Sequence, residues 1–528
     1  MPKKAEYKPL LFTTTVRNPQ RLKALLWVLK KFDGQILSDD LAIKIIAEVI
    51  RYGLYRPMKK TEDIKAKWKS SPQGEFADYI LTDEEVMYIL EHNPQNHKEA
   101  GFAKGFPSRF ATFYDFPKEL GFVYYTPNEP IFFSELGTKF AEIYSVEIAG
   151  NSIIAKEVHP EYEQQAFLQA MCKYQRNNPF VRVLNDNVPL ILLLQTIKKL
   201  NEDPKYNGAG ISRQELPLLI FWKDNNAEAL YQRIKLLRQQ YGYNPSYEVI
   251  IDICTNEIMG GGFKKFEPKS IINEYPDEFI RKMRLTGLIS LRGAGRFIDI
   301  NHMEDEKVAY VLSHYATYSK YHSERAYFDY MATIDSRLFN IHTVEITPVQ
   351  SETLLMNWLD TYKWNSIKNE LHNLVERKAS KDEVLKFLPN PVRLEFLTAL
   401  AVKSKLPAVR VIPNYTCDDT GLPTSTAGGN KGDIECIEHP NTILLEVTMA
   451  EGRTQTTMEI WPIARHLEEF KGKYEADGSQ CVFVAPTIFT DSYDQIDWVK
   501  DRKKLTIRPY KIAEFVSYLE SSATLYQF

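Results

Sequence analysis

Apolar residues recur at helical spacing through much of the first 315 residues of the chain. The segments 20–31 (QRLKALLWVLKK) and 188–200 (VPLILLLQTIKKL) place apolar side chains at steps of three and four residues, which predicts helices with one buried face. A further segment opens with Ser212 and carries Glu215 three residues later, the spacing of a capping box at a helix start. We therefore expect a mainly helical N-terminal half.

Two stretches of this half combine a helix with a β-hairpin. In residues 118–144, apolar runs at 122–125 and 131–133 flank a Pro/Asn turn and lead into helical spacing. Residues 277–301 have the pattern of a helix, a strand, a Gly-rich turn and a second strand. A short β-ribbon beside a helix is typical of winged-helix units. The sequence therefore predicts winged-helix-like subdomains, and the second stretch matches better.

Arginine side chains accompany these helices and turns. A single basic helix face is usually only a solvated surface. Two helix-and-hairpin units with arginines favour contact with DNA, because the planar guanidinium matches phosphates and guanine edges. The candidate DNA-binding residues are Arg17, Arg21, Arg109, Arg233, Arg238, Arg281, Arg284, Arg292 and Arg296. The first three are chosen on side-chain chemistry alone.

The pattern changes towards the C-terminus. Residues 391–404 (PVRLEFLTALAVKS) have helical spacing, the segments 433–437 and 442–448 are predicted as strands joined by a tight turn, and 481–486 (CVFVAP) is predicted as a strand buried on both faces. A second helical segment, 453–470, precedes this last strand. Helix, strand, strand, helix, strand is the core order of PD-(D/E)XK nucleases, so we expect a C-terminal α/β domain of this type.

At 528 residues the chain exceeds what one ordinary core can hold. We expect a multidomain protein in which residues 1–160 and 161–315 are two DNA-recognition subdomains, the second of them winged-helix-like. Residues 316–385 are polar with helical spacing, which indicates a helical linker, and residues 386–528 form the catalytic domain.

Composition narrows the class of protein. With 44% apolar and 26% charged residues, the chain is typical of soluble globular proteins. The net charge of −3 argues against a broadly basic surface, but it leaves room for a basic stripe that binds DNA. The five cysteines are scattered and form no CxxC pair, which argues against zinc sites and favours a reducing, cytoplasmic location.

Two carboxylates mark the place where the C-terminal strands meet. Asp433 begins the first strand, and Glu446 lies near the end of the second, which is otherwise apolar. A carboxylate on a buried strand is costly unless it binds a cation or pairs with one, and adjacent strands can bring both groups to a single ion. Hard oxygen ligands favour Mg²⁺ over zinc, with Mn²⁺ able to substitute.

Three further residues extend this candidate catalytic set. Glu395 lies upstream on the predicted helix, and Glu459 and His466 lie downstream. The last two are seven residues apart, close to two helical turns, although Pro462 between them leaves the helical register open. Taken alone, His466 could equally be a catalytic residue or an ordinary core or surface histidine.

The motifs TAGGNKGDIECIE, ILLEVTMAEGRTQ and MEIWPIARHLEEF, with equal steps from Asp433 to Glu446 and from Glu446 to Glu459, resemble the AlwI-like type IIS restriction endonucleases. This family includes site-specific nicking endonucleases. The resemblance implies that Glu395 is the family's upstream helical Glu and that the Val447 carbonyl joins the metal ligands. Most PD-(D/E)XK relatives have E-x-K, whereas this family has E-V-T, so Thr448 fits a working site.

The resemblance implies a type IIS restriction endonuclease. Its N-terminal half would bind a short asymmetric sequence in double-stranded DNA, and its C-terminal domain would hydrolyse a phosphodiester bond at a fixed distance outside that sequence with Mg²⁺. A single catalytic domain cuts one strand per encounter, so cutting both strands requires a transient homodimer on DNA or a separate small catalytic subunit. The alternatives are a strand-specific nicking enzyme, the large subunit of a heterodimeric enzyme and, from another class, a non-catalytic winged-helix DNA-binding regulator.

Overall fold

The computed structural model describes residues 7–9, 19–69, 74–96, 98, 101–206, 210–261, 266–428, 431–474 and 478–527. The chain divides into two compact units. The first comprises Met1–Ile289, Phe297–Ile300 and Glu304–His342, and the second comprises Ser290–Arg296, Asn301–Met303 and Thr343–Phe528. No helix within the described ranges is long and apolar enough to cross a membrane.

Helices make up most of the first unit. In chain order they are α1 (Gln20–Lys30), α2 (Asp39–Arg51), α3 (Glu62–Lys67), α4 (Asp83–His92), α5 (Phe106–Glu119), α6 (Glu135–Ala141), α7 (Glu161–Lys173), α8 (Pro189–Glu202), α9 (Leu216–Phe221), α10 (Ala227–Tyr241), α11 (Tyr247–Asp252), α12 (Tyr275–Arg284), α13 (Asp305–His314), α14 (Glu324–Ala332) and α15 (Ser336–Phe339). Short π-helical segments, Ile253–Ile258 and Ser270–Glu274, lie between α11 and α12. The predicted helical character of this half is confirmed.

Strands in this part of the chain are short. They are β1 (Val123–Tyr124), β2 (Phe132–Phe133), β3 (Tyr144–Ala149), β4 (Ser152–Glu157), β5 (Ile211–Ser212), β6 (Ile289–Arg292) and β7 (Phe297–Ile300). The first two form the predicted hairpin before α6, and β3 pairs with β4. The last three form a sheet of order β5-β7-β6, so the helix-and-hairpin pattern predicted over 277–301 is confirmed as α12, β6 and β7.

The bonds expected between Ser212 and Glu215 are present in the first unit. Ser212 N donates to Glu215 Oε2 at 2.8 Å, and Glu215 N donates to Ser212 Oγ at 3.2 Å. These reciprocal bonds close the turn between β5 and α9 and do not cap the helix, because the N-cap residue of α9 is Glu215 and the helix has no side-chain cap bond. The helix that follows, α9, begins one residue later, at Leu216.

The second unit surrounds a mixed five-stranded sheet. The strands in this part of the chain are β8 (Arg410–Pro413), β9 (Tyr415–Cys417), β10 (Pro423–Ala427), β11 (Ile434–Glu438), β12 (Asn441–Val447), β13 (Gln480–Ala485) and β14 (Ile507–Lys511). The helices are α16 (Pro348–Thr361), α17 (Trp364–Val375), α18 (Asn390–Lys405), α19 (Arg453–Met458), α20 (Ile460–Tyr474), α21 (Thr490–Lys503) and α22 (Ile512–Ser521). The sheet order is β14-β13-β12-β11-β8. β8, β11 and β12 are antiparallel, whereas β12, β13 and β14 are parallel.

Apolar packing fixes α20 on one face of this sheet. Ile463, Leu467 and Phe470 of the helix are buried in a cluster with Leu444 of β12 and Phe483 of β13. The same cluster includes apolar residues of α21. Because a side chain on a strand alternates between faces, the face that carries Leu444 also carries Glu446, and α20 therefore covers the acidic end of β12.

Candidate active site

Asp433 and Glu446 lie opposite each other at the edge of the sheet. The antiparallel register pairs Ile434 with Leu445, which brings the residue before Ile434 across from Glu446. Val447 N donates to Asp433 Oδ2 at 2.7 Å and fixes the orientation of this carboxyl group. The sequence prediction that adjacent strands bring these two carboxylates together is consistent with this geometry.

A glycine leaves room for the pair. A Cβ atom on Gly432 would lie 2.8 Å from Glu446 Oε1 and 2.4 Å from Leu444 Cδ1, closer than a carbon atom can approach without displacing its neighbours. Residue 432, which precedes Asp433 in the loop, therefore has to be glycine for Glu446 to keep this position.

Burial controls the protonation of the two acids. It is the largest cause that raises the pKa of Asp433 and of Glu446 well above the ordinary carboxyl range, and the charge of Glu446 raises the pKa of Asp433 further. The two carboxyl groups are also hydrogen-bonded to each other. Without a cation nearby, the pair therefore retains a proton that an exposed carboxyl pair would lose.

Glu395 approaches the same cluster from α18. Its side chain is 3% exposed and accepts a hydrogen bond from Ala427 N at 3.0 Å. Burial, and after it the charge of Asp433, raises the pKa of Glu395 well above its usual range. Glu395 is thus an acid on the upstream helix, as the sequence predicts, and it lies close enough to Asp433 for the two charges to interact.

Glu459 occupies a break between two helices. α19 ends at Met458 and α20 begins at Ile460, and Glu459 between them has φ −107° and ψ −51°. Thr448 Oγ1 donates to Glu459 Oε1 at 3.2 Å. The threonine that stands in the position of the usual lysine therefore binds an acid of the cluster, a contact that the spacing of the sequence did not predict.

His466 lies on α20 against the strand acid. Its Nδ1 is 2.9 Å from Glu446 Oε1, and the two side chains are 9% and 7% exposed. Pro462 lies in the first turn of α20, where a missing backbone N–H costs no helical bond. The helix therefore continues past the proline, and Glu459 and His466 contact different partners within one cluster.

The neighbouring acid Glu435 has a different environment. It is on the same face of β11 as Asp433, but Lys473 Nζ donates to Glu435 Oε2 at 2.7 Å and Tyr474 OH donates to the same oxygen at 2.6 Å. The carboxylate of Glu435 is neutralised by Lys473, and the two groups form a structural ion pair. Glu435 therefore serves as an internal comparison for Asp433 and Glu446.

The donor set fits a hard divalent cation. Asp433 and Glu446 offer paired carboxylate oxygens, which Mg²⁺ and Mn²⁺ prefer, and the glycine at 432 keeps space beside them. In the ranges that the structure describes, no group of three or more His, Cys, Asp or Glu side chains is arranged to hold a metal ion. A cation here would therefore complete its shell with backbone carbonyl, water or phosphate oxygens.

The candidate DNA-binding arginines occupy different environments. Arg17 lies outside the described residues. Arg238 and Arg284 are buried, Arg21, Arg109, Arg233, Arg281 and Arg292 are half-buried, and Arg296 is exposed on the turn between β6 and β7. Arg233 pairs with Glu257, and Arg292 pairs with Asp419 at 2.7 Å.

The expectation that Arg238 contacts DNA is not supported by its position. Its Nε and Nη2 donate to the two oxygens of Glu215 at 2.7 and 2.8 Å, and both side chains are fully buried. Arg284 is likewise buried at the end of α12. A guanidinium held in the interior cannot reach a phosphate without local unfolding, so neither residue belongs to the proposed DNA surface.

Clustered acids and a histidine at the edge of a mixed sheet are typical of nucleases. The family model for the AlwI restriction endonuclease matches residues 118–336 and 344–518. The chain belongs to this family and is a type II restriction endonuclease. Restriction endonucleases of this kind act on DNA and generally use divalent metal ions.

Solved structures with similarity to the chain are also restriction endonucleases. The small subunit (R.BspD6I2) of the heterodimeric restriction endonuclease R.BspD6I is 22% identical, with a TM-score of 0.25 over 29% of this chain and 76% of that subunit. FokI is 12% identical, with a TM-score of 0.26 over 99% of this chain and 98% of FokI, and FokI bound to DNA gives a TM-score of 0.23 at 12% identity over 98% and 96%. No curated protein matches the chain. The family assignment therefore depends on the family model.

Proposed function

We propose that the protein is a type IIS restriction endonuclease with a PD-(D/E)XK catalytic domain in its C-terminal unit. It binds a short asymmetric DNA sequence and hydrolyses a phosphodiester bond at a fixed distance outside it, with Mg²⁺ as cofactor. The observation that carries the proposal is the pair formed by Asp433 and the buried Glu446, which the strand register places opposite each other with His466 Nδ1 2.9 Å from Glu446 Oε1.

Each residue of the cluster has a proposed role. Asp433, Glu446 and the Val447 carbonyl hold the cation, which when bound activates water and neutralises the scissile phosphate. Glu395 and Glu459 bind a second ion or orient the attacking water. His466, held by Glu446, moves a proton to or from the reacting oxygens. Thr448 supplies no charge, so its hydroxyl keeps Glu459 in position.

Sequence recognition is assigned to the N-terminal half. Helix α12 is followed directly by the hairpin β6–β7, which forms a sheet of order β5-β7-β6. This arrangement supports a winged-helix-like subdomain, in which a helix enters the major groove and the hairpin contacts the flanking backbone. Arg296 at the hairpin turn is the exposed candidate for a phosphate contact.

The described residues contain one such acidic cluster, so we expect the chain to cut one strand at a time. Cleavage of both strands then requires a second catalytic domain, supplied by a transient homodimer on DNA or by a small subunit. A strand-specific nicking enzyme is the second candidate function.

The test is cleavage of a plasmid library with Mg²⁺, followed by sequencing of the ends. Recurrent ends at one offset from one sequence support the proposal, and linear product after open circle distinguishes double-strand cleavage from nicking. Asp433→Ala and Glu446→Ala are expected to lose cleavage and retain binding. Glu435→Gln, at the structural ion pair on the same face, is the matched control and is expected to retain cleavage.

Binding without cleavage of any library sequence by the folded wild-type protein would overturn the proposal. That outcome would instead favour a non-catalytic DNA-binding regulator. Equal loss of binding in Asp433→Ala and Glu435→Gln would show that the acids act only through the stability of the unit.

A further inference from the structure

Gln455 is a fully buried amide beside the acidic cluster. It lies in α19, and its side chain is 0% exposed. A buried amide without hydrogen-bond partners is destabilising, so the hydrogen bonds of Gln455 indicate what the structure gains from it.

Both ends of the amide bind to loops that leave the sheet. Nε2 donates to Ala450 O at 2.8 Å and to Thr487 O at 2.6 Å. Oε1 accepts from Phe489 N at 2.8 Å and from Ser492 Oγ at 3.4 Å. The side chain thereby uses both donors and both acceptor positions that an amide has.

These partners belong to two neighbouring strand ends. Ala450 follows β12, which carries Glu446, and Thr487 and Phe489 follow β13, which runs parallel to β12. Parallel neighbours end at the same edge of a sheet, so the amide joins the two loops directly beside the cluster. Few other side chains could bridge both loops without leaving a buried backbone group unpaired.

The backbone of Gln455 also contacts the cluster. Its carbonyl accepts from Glu459 N at 3.0 Å, which fixes the residue at the break between α19 and α20. Its amide holds Ala450, whose N in turn donates to Thr448 Oγ1 at 3.0 Å. Thr448 and Glu459 are bonded to each other, so Gln455 constrains both ends of that hydrogen bond.

We propose that Gln455 is a positioning residue for phosphodiester hydrolysis. It contacts neither DNA nor cation; it sets the conformation of the segment after Glu446 and the place of Glu459. The inference depends on the proposed function of the cluster. Loss of such support around metal ligands typically lowers metal affinity or activity by about 10- to 100-fold.

The test compares three variants of the full chain. Gln455→Met keeps an unbranched side chain of similar length and removes all four bonds, and Gln455→Glu keeps the shape and an acceptor oxygen. Thr442→Val is the matched control, because Thr442 is a buried residue bonded to Ser479 at the opposite ends of the same two strands. Measurements are kcat, KM for DNA, Mn²⁺ affinity by calorimetry, and Tm.

We expect kcat of Gln455→Met to fall by about 10- to 100-fold and its Mn²⁺ affinity to weaken, with KM for DNA unchanged. Gln455→Glu should also lower kcat and Mn²⁺ affinity, because a carboxylate keeps the acceptor bonds but cannot donate to the carbonyls of Ala450 and Thr487. Thr442→Val should lower Tm while kcat and Mn²⁺ affinity stay at wild-type values. If Gln455→Met does not fold, the reduced kcat and Mn²⁺ affinity of Gln455→Glu provide the same test.

A fall in kcat of Gln455→Met no greater than that of Thr442→Val, at equal distance below each Tm, would overturn the inference. A fall in kcat accompanied by a rise in KM for DNA would also overturn it, because that combination would indicate general unfolding. The failure of the proposed function is distinguishable: in that case Asp433→Ala would retain cleavage, whereas failure of this inference leaves Asp433→Ala inactive and Gln455→Met active.

Discussion

His466 Nδ1 lies 2.9 Å from Glu446 Oε1, so one carboxyl group links α20 to the acidic edge of the sheet. The apolar contacts of α20 with the sheet would tolerate a small rotation of the helix. The bonds of Lys473 and Tyr474 with Glu435, at the end of the helix, restrict that rotation. The bond of His466 with Glu446 restricts it as well, since a hydrogen bond depends on distance and angle. Glu446 is thereby oriented by a group that can also exchange protons.

His466→Ala is expected to lower kcat by about 100-fold or more, the usual contribution of a positioned acid or base. DNA affinity should be unchanged, because the His466 side chain is 9% exposed and is held by Glu446, so little of it is available for a DNA contact. Single-turnover cleavage and equilibrium binding measure the two effects. The matched control is His372→Ala: His372 also pairs with a glutamate, Glu376 at 3.4 Å, but on an exposed helix face. Equal losses in both variants would contradict the proposed role of His466.

Asp433→Asn is expected to stabilise the cation-free protein at pH 8. Burial raises the pKa of Asp433 in the folded state, so the folded protein binds more protons than the unfolded chain, and stability falls as pH rises above the unfolded value of about 4. Asparagine does not ionise and avoids this loss, by about 1.4 kcal/mol for each unit of pKa shift. Urea unfolding in EDTA at pH 5 and pH 8 measures the difference.

The gain should be large at pH 8 and small at pH 5. With divalent cations present, wild type should be more stable than Asp433→Asn. A cation that binds the folded state stabilises it by about 2.7 kcal/mol at 100 times its Kd, and the variant has lost one of the groups that bind the cation. A variant that is less stable than wild type at pH 8 in EDTA would show that Asp433 is ionised there without cost.

The strands of the catalytic unit were predictable because local pattern determines them. Apolar runs bounded by turn residues placed two strands at 433–437 and 442–448, and the structure has them at Ile434–Glu438 and Asn441–Val447. Strand pairing then brings Asp433 opposite Glu446, and this pairing depends only on the tight turn between the strands.

Side-chain partners were not predictable in the same way. The sequence left the register of Glu459 and His466 open, and a helix break gives them different partners, Thr448 and Glu446. Arg238 has the same chemistry as a DNA-binding arginine, and its burial against Glu215 depends on tertiary packing that helical periodicity does not encode. Gln455 carries no charge and so gave no signal.

Thr448→Val is expected to lower kcat by about 10-fold, the lower end of the effect of an outer-shell contact. Valine matches threonine in shape but cannot donate to Glu459 Oε1 or accept from Ala450 N. Thr448→Ser keeps the hydroxyl and should retain most of the activity. Initial cleavage rates of the two variants at saturating DNA measure this contrast. A serine variant as slow as the valine variant would contradict this role, because the hydroxyl alone would not sustain activity.

Arg296→Ala is expected to weaken DNA binding at low salt and to reduce the slope of log affinity against log salt by about 0.9, the contribution of one phosphate contact. Arg296 is exposed on the turn between two strands, a position from which a long basic side chain can extend towards the DNA backbone. Fluorescence anisotropy with cognate and unrelated duplexes at several salt concentrations measures both quantities. A phosphate contact predicts equal losses for the two duplexes and retention by Arg296→Lys, because a lysine supplies the same charge. Loss confined to the cognate duplex, without rescue by lysine, would instead indicate that the planar fork of Arg296 contacts a base.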